Sequence, residues 1–154
     1  MAIVSDNFAA LGTMTITLAS LATSAVGVGR QSTLLTNTST PNTTAQIHAQ
    51  ITAGTSTGTA LVSLYLIRSD NVGIRDDSAG ASDAAWTQLN APLLGNIVVG
   101  AGTNVQYQSV FDTTSLGHLG PQWGIGVVHN LGNPLNPTAG SHLITVTQIT
   151  QTVA

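Results

Sequence analysis

Polar and apolar residues alternate with period two along much of this chain. Over residues 13–18, Met14, Ile16 and Leu18 fall on one side and Thr13, Thr15 and Thr17 on the other, the pattern of a strand with one buried face. Residues 45–52 repeat it, with Ala45, Ile47, Ala49 and Ile51 facing in and Gln46, His48 and Gln50 facing out. Residues 61–67 are almost continuously apolar, which predicts a central strand covered on both faces. Further strands are predicted over 30–36, 93–99, 104–111, 122–130 and 142–150, about eight in all. The segment 18–29 is rich in Ala and Ser and fits no period.

Turn chemistry separates these strands. Ala53-Gly54-Thr55-Ser56-Thr57-Gly58 reads as a hairpin loop, and so does Gly100-Ala101-Gly102. Gly132, Pro134, Pro137 and Gly140 break the chain before the last strand. The one long stretch without strand signal runs over 70–90, with a short helical turn expected near Ser82–Trp86. Helical periodicity is otherwise absent. The expected fold is therefore all-β: a single-domain β-sandwich of about eight strands, jelly-roll-like in topology. Residues 13–154 form the sandwich, and residues 1–12, with Ile3, Val4, Phe8 and Leu11, form an N-terminal arm that reaches a neighbour or frays.

Composition sharpens the picture. In 154 residues there are three Arg (Arg30, Arg68, Arg75), six Asp (Asp6, Asp70, Asp76, Asp77, Asp83, Asp112), no Lys and no Glu. The charged fraction is 6%, against about 25% in an ordinary soluble domain. Disorder does not fit a chain that is 42% hydrophobic. The polar surface must be Thr, Ser, Asn and Gln, whose hydroxyls and amides can re-pair when desolvated, whereas a buried charge is costly. This favours a subunit of an assembly. Such a chain has few charges to guard its edge strands. Three cations cannot neutralise several phosphates, so a nucleic-acid partner is not expected. No apolar run approaches the roughly 20 residues needed to cross a bilayer, and the first ten residues lack a basic region followed by an apolar run. There is no cysteine, hence no disulfide or thiolate chemistry.

Candidate chemistry is sparse. Gly54-Thr55-Ser56-Thr57-Gly58 matches the Gly-x-Ser-x-Gly pattern of a hydrolase elbow, with Asp70 and then His118, His129 or His142 following in the hydrolase order. That motif needs a strand, a sharp turn and a helix to expose the serine. Here a strand follows, so a chance match is the expectation. The loop 70–83 holds Asp70, Asp76, Asp77 and Asp83, oxygen ligands of the kind calcium takes, but Arg75 interrupts it and no Glu closes it. The plainer reading is a solvated loop in which Arg68 and Arg75 pair with Asp70, Asp76 or Asp77. His48, His118, His129 and His142 lie far apart, without metal-ligand spacing. Trp86 and Trp123 are expected to anchor a core or an interface, with a sugar platform as the alternative. Asn37-Thr38-Ser39 and Asn42-Thr43-Thr44 are sequons in a Thr-rich loop, read as chance. No catalytic, cofactor or metal residue is assigned. Gly124 and Gly126 alternate with Trp123, Ile125 and Val127, leaving one strand face open to close approach by another backbone.

The segment Leu119-Gly120-Pro121-Gln122-Trp123-Gly124-Ile125-Gly126-Val127-Val128-His129-Asn130, followed by Leu135-Asn136-Pro137-Thr138-Ala139-Gly140-Ser141-His142-Leu143-Ile144, resembles small structural proteins of tailed bacteriophages of the capsid decoration, or cement, type. An aromatic-Gly strand ending at His-Asn, a loop with Asn and Thr-Ala-Gly, and a final strand carry the resemblance, which covers about half the chain; residues 61–70 and 76–91 also look similar. It implies a non-enzymatic protein on the outer surface of the virion capsid. There it would bind and stabilise the major capsid protein shell, as a homo-oligomer, dimer or trimer. The alternatives are a phage tail or fibre component, a carbohydrate-binding β-sandwich module, and a small hydrolase using Ser56.

Overall fold

The structure, a computed structural model, describes residues 4–23, 28–38, 42–74, 76–77 and 79–153. Its strands are β1 (Val4–Phe8), β2 (Gly12–Thr13), β3 (Val28–Gln31), β4 (Leu35–Thr36), β5 (Thr44–Thr52), β6 (Thr55–Ser56), β7 (Ala60–Ser69), β8 (Ala84–Ala85), β9 (Leu93–Val99), β10 (Gly102–Thr103), β11 (Gln106–Asp112), β12 (Gln122–His129) and β13 (Leu143–Val153). Every strand pairing among the described residues is antiparallel. The first sheet runs β1-β13-β5-β11, with β2 beside β1 on the same edge of β13. The second runs β8-β3-β12-β7-β9, with β4 continuing the line of β3 along β12.

The two sheets pack face to face, because the alternation read from the sequence gives each one an apolar face. Ala45, Ile47, Ala49 and Ile51 of β5 and Ile144 and Val146 of β13 meet Val62, Leu64, Leu66, Ile97, Val99, Trp123, Ile125 and Val127 in one core. Burying a side chain of this size stabilises by roughly 1.5–3 kcal/mol. The all-β sandwich expected from the alternation is therefore present, with eight strands of four residues or more among the described residues.

Several expectations are corrected. The segments 53–58 and 100–102 are not hairpins. β5 and β7 lie in different sheets, as do β9 and β11, so both segments are arches over one side of the sandwich. The short strands β6 and β10 in these connections pair with each other, Ser56 with Gly102 and Thr55 with Thr103. The predicted strand at 13–18 keeps its alternation, with Met14 and Leu18 buried, but only Gly12–Thr13 joins a ladder. The rest crosses between the sheets: Met14 donates to the Ile144 carbonyl at 2.9 Å, and Thr33 donates to the Thr15 carbonyl at 2.9 Å. The helical turn expected near Ser82–Trp86 is replaced by β8, which pairs with β3. Residues 4–8 of the expected arm form β1, laid along the end of β13 in the register Val4–Val153 to Phe8–Ile149.

The central strand β7 is buried on its inward face; its outward face, expected to be covered as well, is only partly so, with Leu61, Ser63 and Tyr65 half-buried. Its inward residues meet the main core. Its outward Ile67 is fully buried with Ala79, Trp86, Ala91 and Val128 under the segment 70–91, which straps across the second sheet. The face of β12 expected to be open is occupied by that strap and by the segment between β3 and β4. Trp86 lies against Gly126, and Ser32 and Leu34 lie against Gly124.

Candidate functional site

The sequence-level candidates do not converge on one place. Ser56 sits in β6, between two arches and not in a strand-turn-helix. It is buried, and its hydroxyl donates to the Gly58 carbonyl at 2.9 Å. The histidines of the hydrolase order are held elsewhere. His129 is 1% exposed at the end of β12, and its Nε2 donates to the Leu21 carbonyl at 2.8 Å while Nδ1 accepts from the Leu131 amide at 3.4 Å. His142 donates from Nε2 to the Asn136 carbonyl at 2.9 Å and accepts at Nδ1 from the Thr52 amide at 3.3 Å. Carbonyls only accept, so each imidazole is fixed as the neutral Nε2–H tautomer that bridges two backbone segments. Burial holds both imidazoles below the usual histidine range, opposed in each case by the bond to a carbonyl.

The four acids of the strap perform four separate tasks. Asp70 accepts from the amides of Val72 and Gly73, both at 3.0 Å, closing a turn. Asp76 takes the Arg68 guanidinium, with Nε at 2.8 Å. Asp83 takes Arg30, whose Nη1 also donates to the carbonyls of Thr17 and Ala19. Asp77 accepts from the backbone amides of Asn90 and Leu89; the Asn90 bond is the chief reason its carboxyl lies below the ordinary value. Among the described residues no three Asp or His side chains converge as metal ligands would. The pairing of Arg68 with Asp76 is one the sequence suggested; that of Arg30 with Asp83 is not. Arg75 lies outside the described residues.

Trp86 and Trp123 are 3% and 0% exposed, so neither offers a stacking platform to a sugar. Asn37 is buried, and its amide ties the Asn42 carbonyl to that of Gly120, both at 2.9 Å, so that sequon serves a structural joint.

What remains is the outer face of the first sheet. Strand register places Gln108, Gln50 and Leu143 in one row, Val110, His48 and Thr145 in the next, and Asp112, Gln46 and Thr147 in a third. Amides and the imidazole bond along the face: His48 Nε2 donates to Gln108 Oε1 at 3.3 Å, and Gln108 Nε2 donates to Gln50 Oε1 at 3.4 Å. Apolar side chains stand exposed there, Val110 at 64% and Leu143 at 40%, with Phe8 of β1 at 61%. Where this face meets the 3-10 turn Thr114–Leu116, a depression of about 380 Å³ opens. Asp6, Gln46, Asp112, His118 and Gln151 line it together with Phe8, Ile149 and several threonines. The ion pairs Arg30–Asp83 and Arg68–Asp76 join strands β3 and β7 of the second sheet to the strap.

Sequence reasoning identified His48, Gln46 and Gln50 as outward residues but did not assemble this face. β1, β13, β5 and β11 are scattered along the chain, and only their pairing brings the residues together. Comparison with protein-family models, curated proteins and solved structures returned no match.

Proposed function

We propose that this chain is a structural virion protein, a capsid decoration or cement protein that binds the assembled major capsid shell from outside and stabilises it. The observation that carries the reading is the outer face of the first sheet. It presents exposed Val110, Leu143 and Phe8 among glutamines and threonines, with carboxylates only at one end. Such a face can be desolvated against another protein at little cost, because amides and hydroxyls re-pair and the apolar groups gain by burial. The hydrolase alternative lacks support, since Ser56 is buried and bonded to a carbonyl.

Two further points support it. Counting the eight longer strands in chain order, one sheet reads first-eighth-third-sixth and the other second-seventh-fourth-fifth. That order supports the expected jelly-roll topology, an architecture used by viral capsid and lectin domains. The segments with the decoration-protein resemblance form β12, the loop after it and the start of β13. The carbohydrate-module alternative loses its platform with Trp86 and Trp123 buried. A tail or fibre component would use the same docking physics and differs in location.

The test is the copy number of this chain in purified particles, beside a thermal rupture curve with and without it. Hundreds of copies on the head, and rupture at lower temperature in their absence, are expected. A handful of copies on the tail, or unchanged rupture, overturns the cementing role.

A further inference from the structure

We infer that the depression on the first sheet receives a basic side chain, an arginine or lysine, from the protein surface on which this face docks. The inference rests on the docking reading above and names the chemistry of the partner. Asp6 and Asp112 stand on opposite walls of the depression, on the edge strands β1 and β11. No cation of the described residues neutralises either one, since Arg30 of β3 and Arg68 of β7, both in the other sheet, are committed to Asp83 and Asp76. The carboxylates are held in place by neutral donors: Asp6 accepts from Gln151 Nε2 at 3.1 Å, and Asp112 from the Thr114 amide at 2.7 Å. Desolvating them against a neutral surface would be costly, so a partner that covers this end of the face has to bring a cation.

The rest of the lining suits that occupant. Phe8 and Ile149 supply apolar contact for an aliphatic stem, and the exposed Phe8 ring can lie against a guanidinium. Threonine hydroxyls and the Gln46 and Gln151 amides offer acceptors for the remaining N–H groups. A volume of about 380 Å³ admits a long side chain without rearrangement. A second copy of this face is a poor occupant, because it brings the same carboxylates and no described cation. One charge pair at the end of an otherwise uncharged face fixes register and partner choice; it does not supply the bulk of the affinity.

The experiment titrates the isolated full-length protein with N-acetylarginine amide and, separately, with its uncharged isostere N-acetylcitrulline amide, following backbone amide NMR shifts. Shifts at Thr43, Thr44, Asp112, Thr114 and His118 are expected with the arginine compound and not with citrulline. An Asp6→Asn, Asp112→Asn double variant should weaken binding about fivefold, the scale of a semi-exposed ion pair. Its unchanged melting temperature would show that the fold is intact. Equal shifts with both compounds, no shifts at these residues, or full binding by the double variant would overturn the inference. Stronger shifts at the same residues with an N-acetylglucosamine disaccharide would also overturn it, in favour of a glycan. Because the titration needs no particle, absence of the chain from capsids would overturn the cement reading alone.

Discussion

Trp86 lies so close to Gly126 that a Cβ added there would come within 2.1 Å of the indole Cη2. The same ring approaches Gly29, where a Cβ would stand 2.6 Å from Cε3, and Tyr65 meets it edge-on with centroids 5.3 Å apart. Two glycines on the neighbouring strands β3 and β12 thus form a bed for one indole carried by the strap. Ion pairs and amide bonds from the strap's carboxylates hold the segment over that bed.

Gly126→Ala should therefore lift the strap. Overpacking a filled site costs about 1–3 kcal/mol, and the expected result is a lower urea midpoint with an unchanged slope. Near-ultraviolet circular dichroism should lose part of the tryptophan signal. Gly140→Ala, where a Cβ meets nothing within 4 Å, is the control and should change little. An unchanged midpoint in Gly126→Ala would show that the indole is not seated as described.

The strands were legible in the sequence because each buries one face, and burial writes a period of two. Ala45, Ile47, Ala49 and Ile51 are all buried, as their alternation predicts. Connectivity was not legible. Gly54 and Gly58 mark a reversal, but the same residues serve a hairpin or an arch, and only the packing of β5 and β7 in separate sheets decides. β1 escaped notice because all five of its residues are exposed; backbone pairing to β13 holds it, and backbone pairing leaves no side-chain pattern. The depression joins Asp6 to Asp112 across four strands of one sheet, a proximity that no local spacing encodes.

Ser56→Ala removes one hydrogen bond, to the Gly58 carbonyl. A typical intramolecular hydrogen bond contributes about 0.5–1.5 kcal/mol, so a small drop in melting temperature is expected. Hydrolysis of p-nitrophenyl acetate should stay at the level of the unaltered protein. Loss of a measurable esterase activity on this substitution would restore the hydrolase reading.

Stability should fall as the solution is acidified below the normal histidine range. His129 and His142 have folded-state pKa values below their unfolded value of about 6.5, so the unfolded chain binds protons first. Their contribution is complete above that value. It declines as pH drops through 6.5 toward the folded pKa values, because protonation converts the Nδ1 that accepts from Leu131 or Thr52 into a donor. Calorimetric melting temperatures across this range should decline in the unaltered protein and decline less steeply in His129→Gln, His142→Gln. Equal slopes in the two proteins would remove the histidines from the account.

Calcium should leave the melting temperature nearly unchanged. A ligand that binds only the folded state stabilises by about 2.7 kcal/mol at a hundredfold excess over its dissociation constant. The four strap carboxylates are instead occupied by Arg68, Arg30 and backbone amides at separate points. A rise of several degrees on adding calcium, reversed by chelator, would show that the strap rearranges around the ion.

On the proposed cement role, attachment to the particle should resist salt and yield to denaturant. The outer face of the first sheet carries exposed Val110, Leu143 and Phe8, a field of amides and hydroxyls, and carboxylates only at one end. An exposed ion pair is worth about 0–1 kcal/mol, and salt screens it over roughly 8–10 Å at physiological strength. Apolar burial is not screened; excluded salts strengthen it slightly, while urea and guanidinium weaken it by solvating apolar and peptide groups. Raising sodium chloride from low to near-molar concentration should therefore leave the protein on sedimented particles, and moderate urea should release it to the supernatant before the shell dissociates. Substituting Val110 and Leu143 together by Ser should lower the urea concentration needed for release more than Asp112→Asn does, because the apolar pair carries affinity and the carboxylate carries register. Release by salt alone would show that the few charges hold the protein on the shell, and a larger effect from Asp112→Asn would move the main contact from the sheet face to the depression.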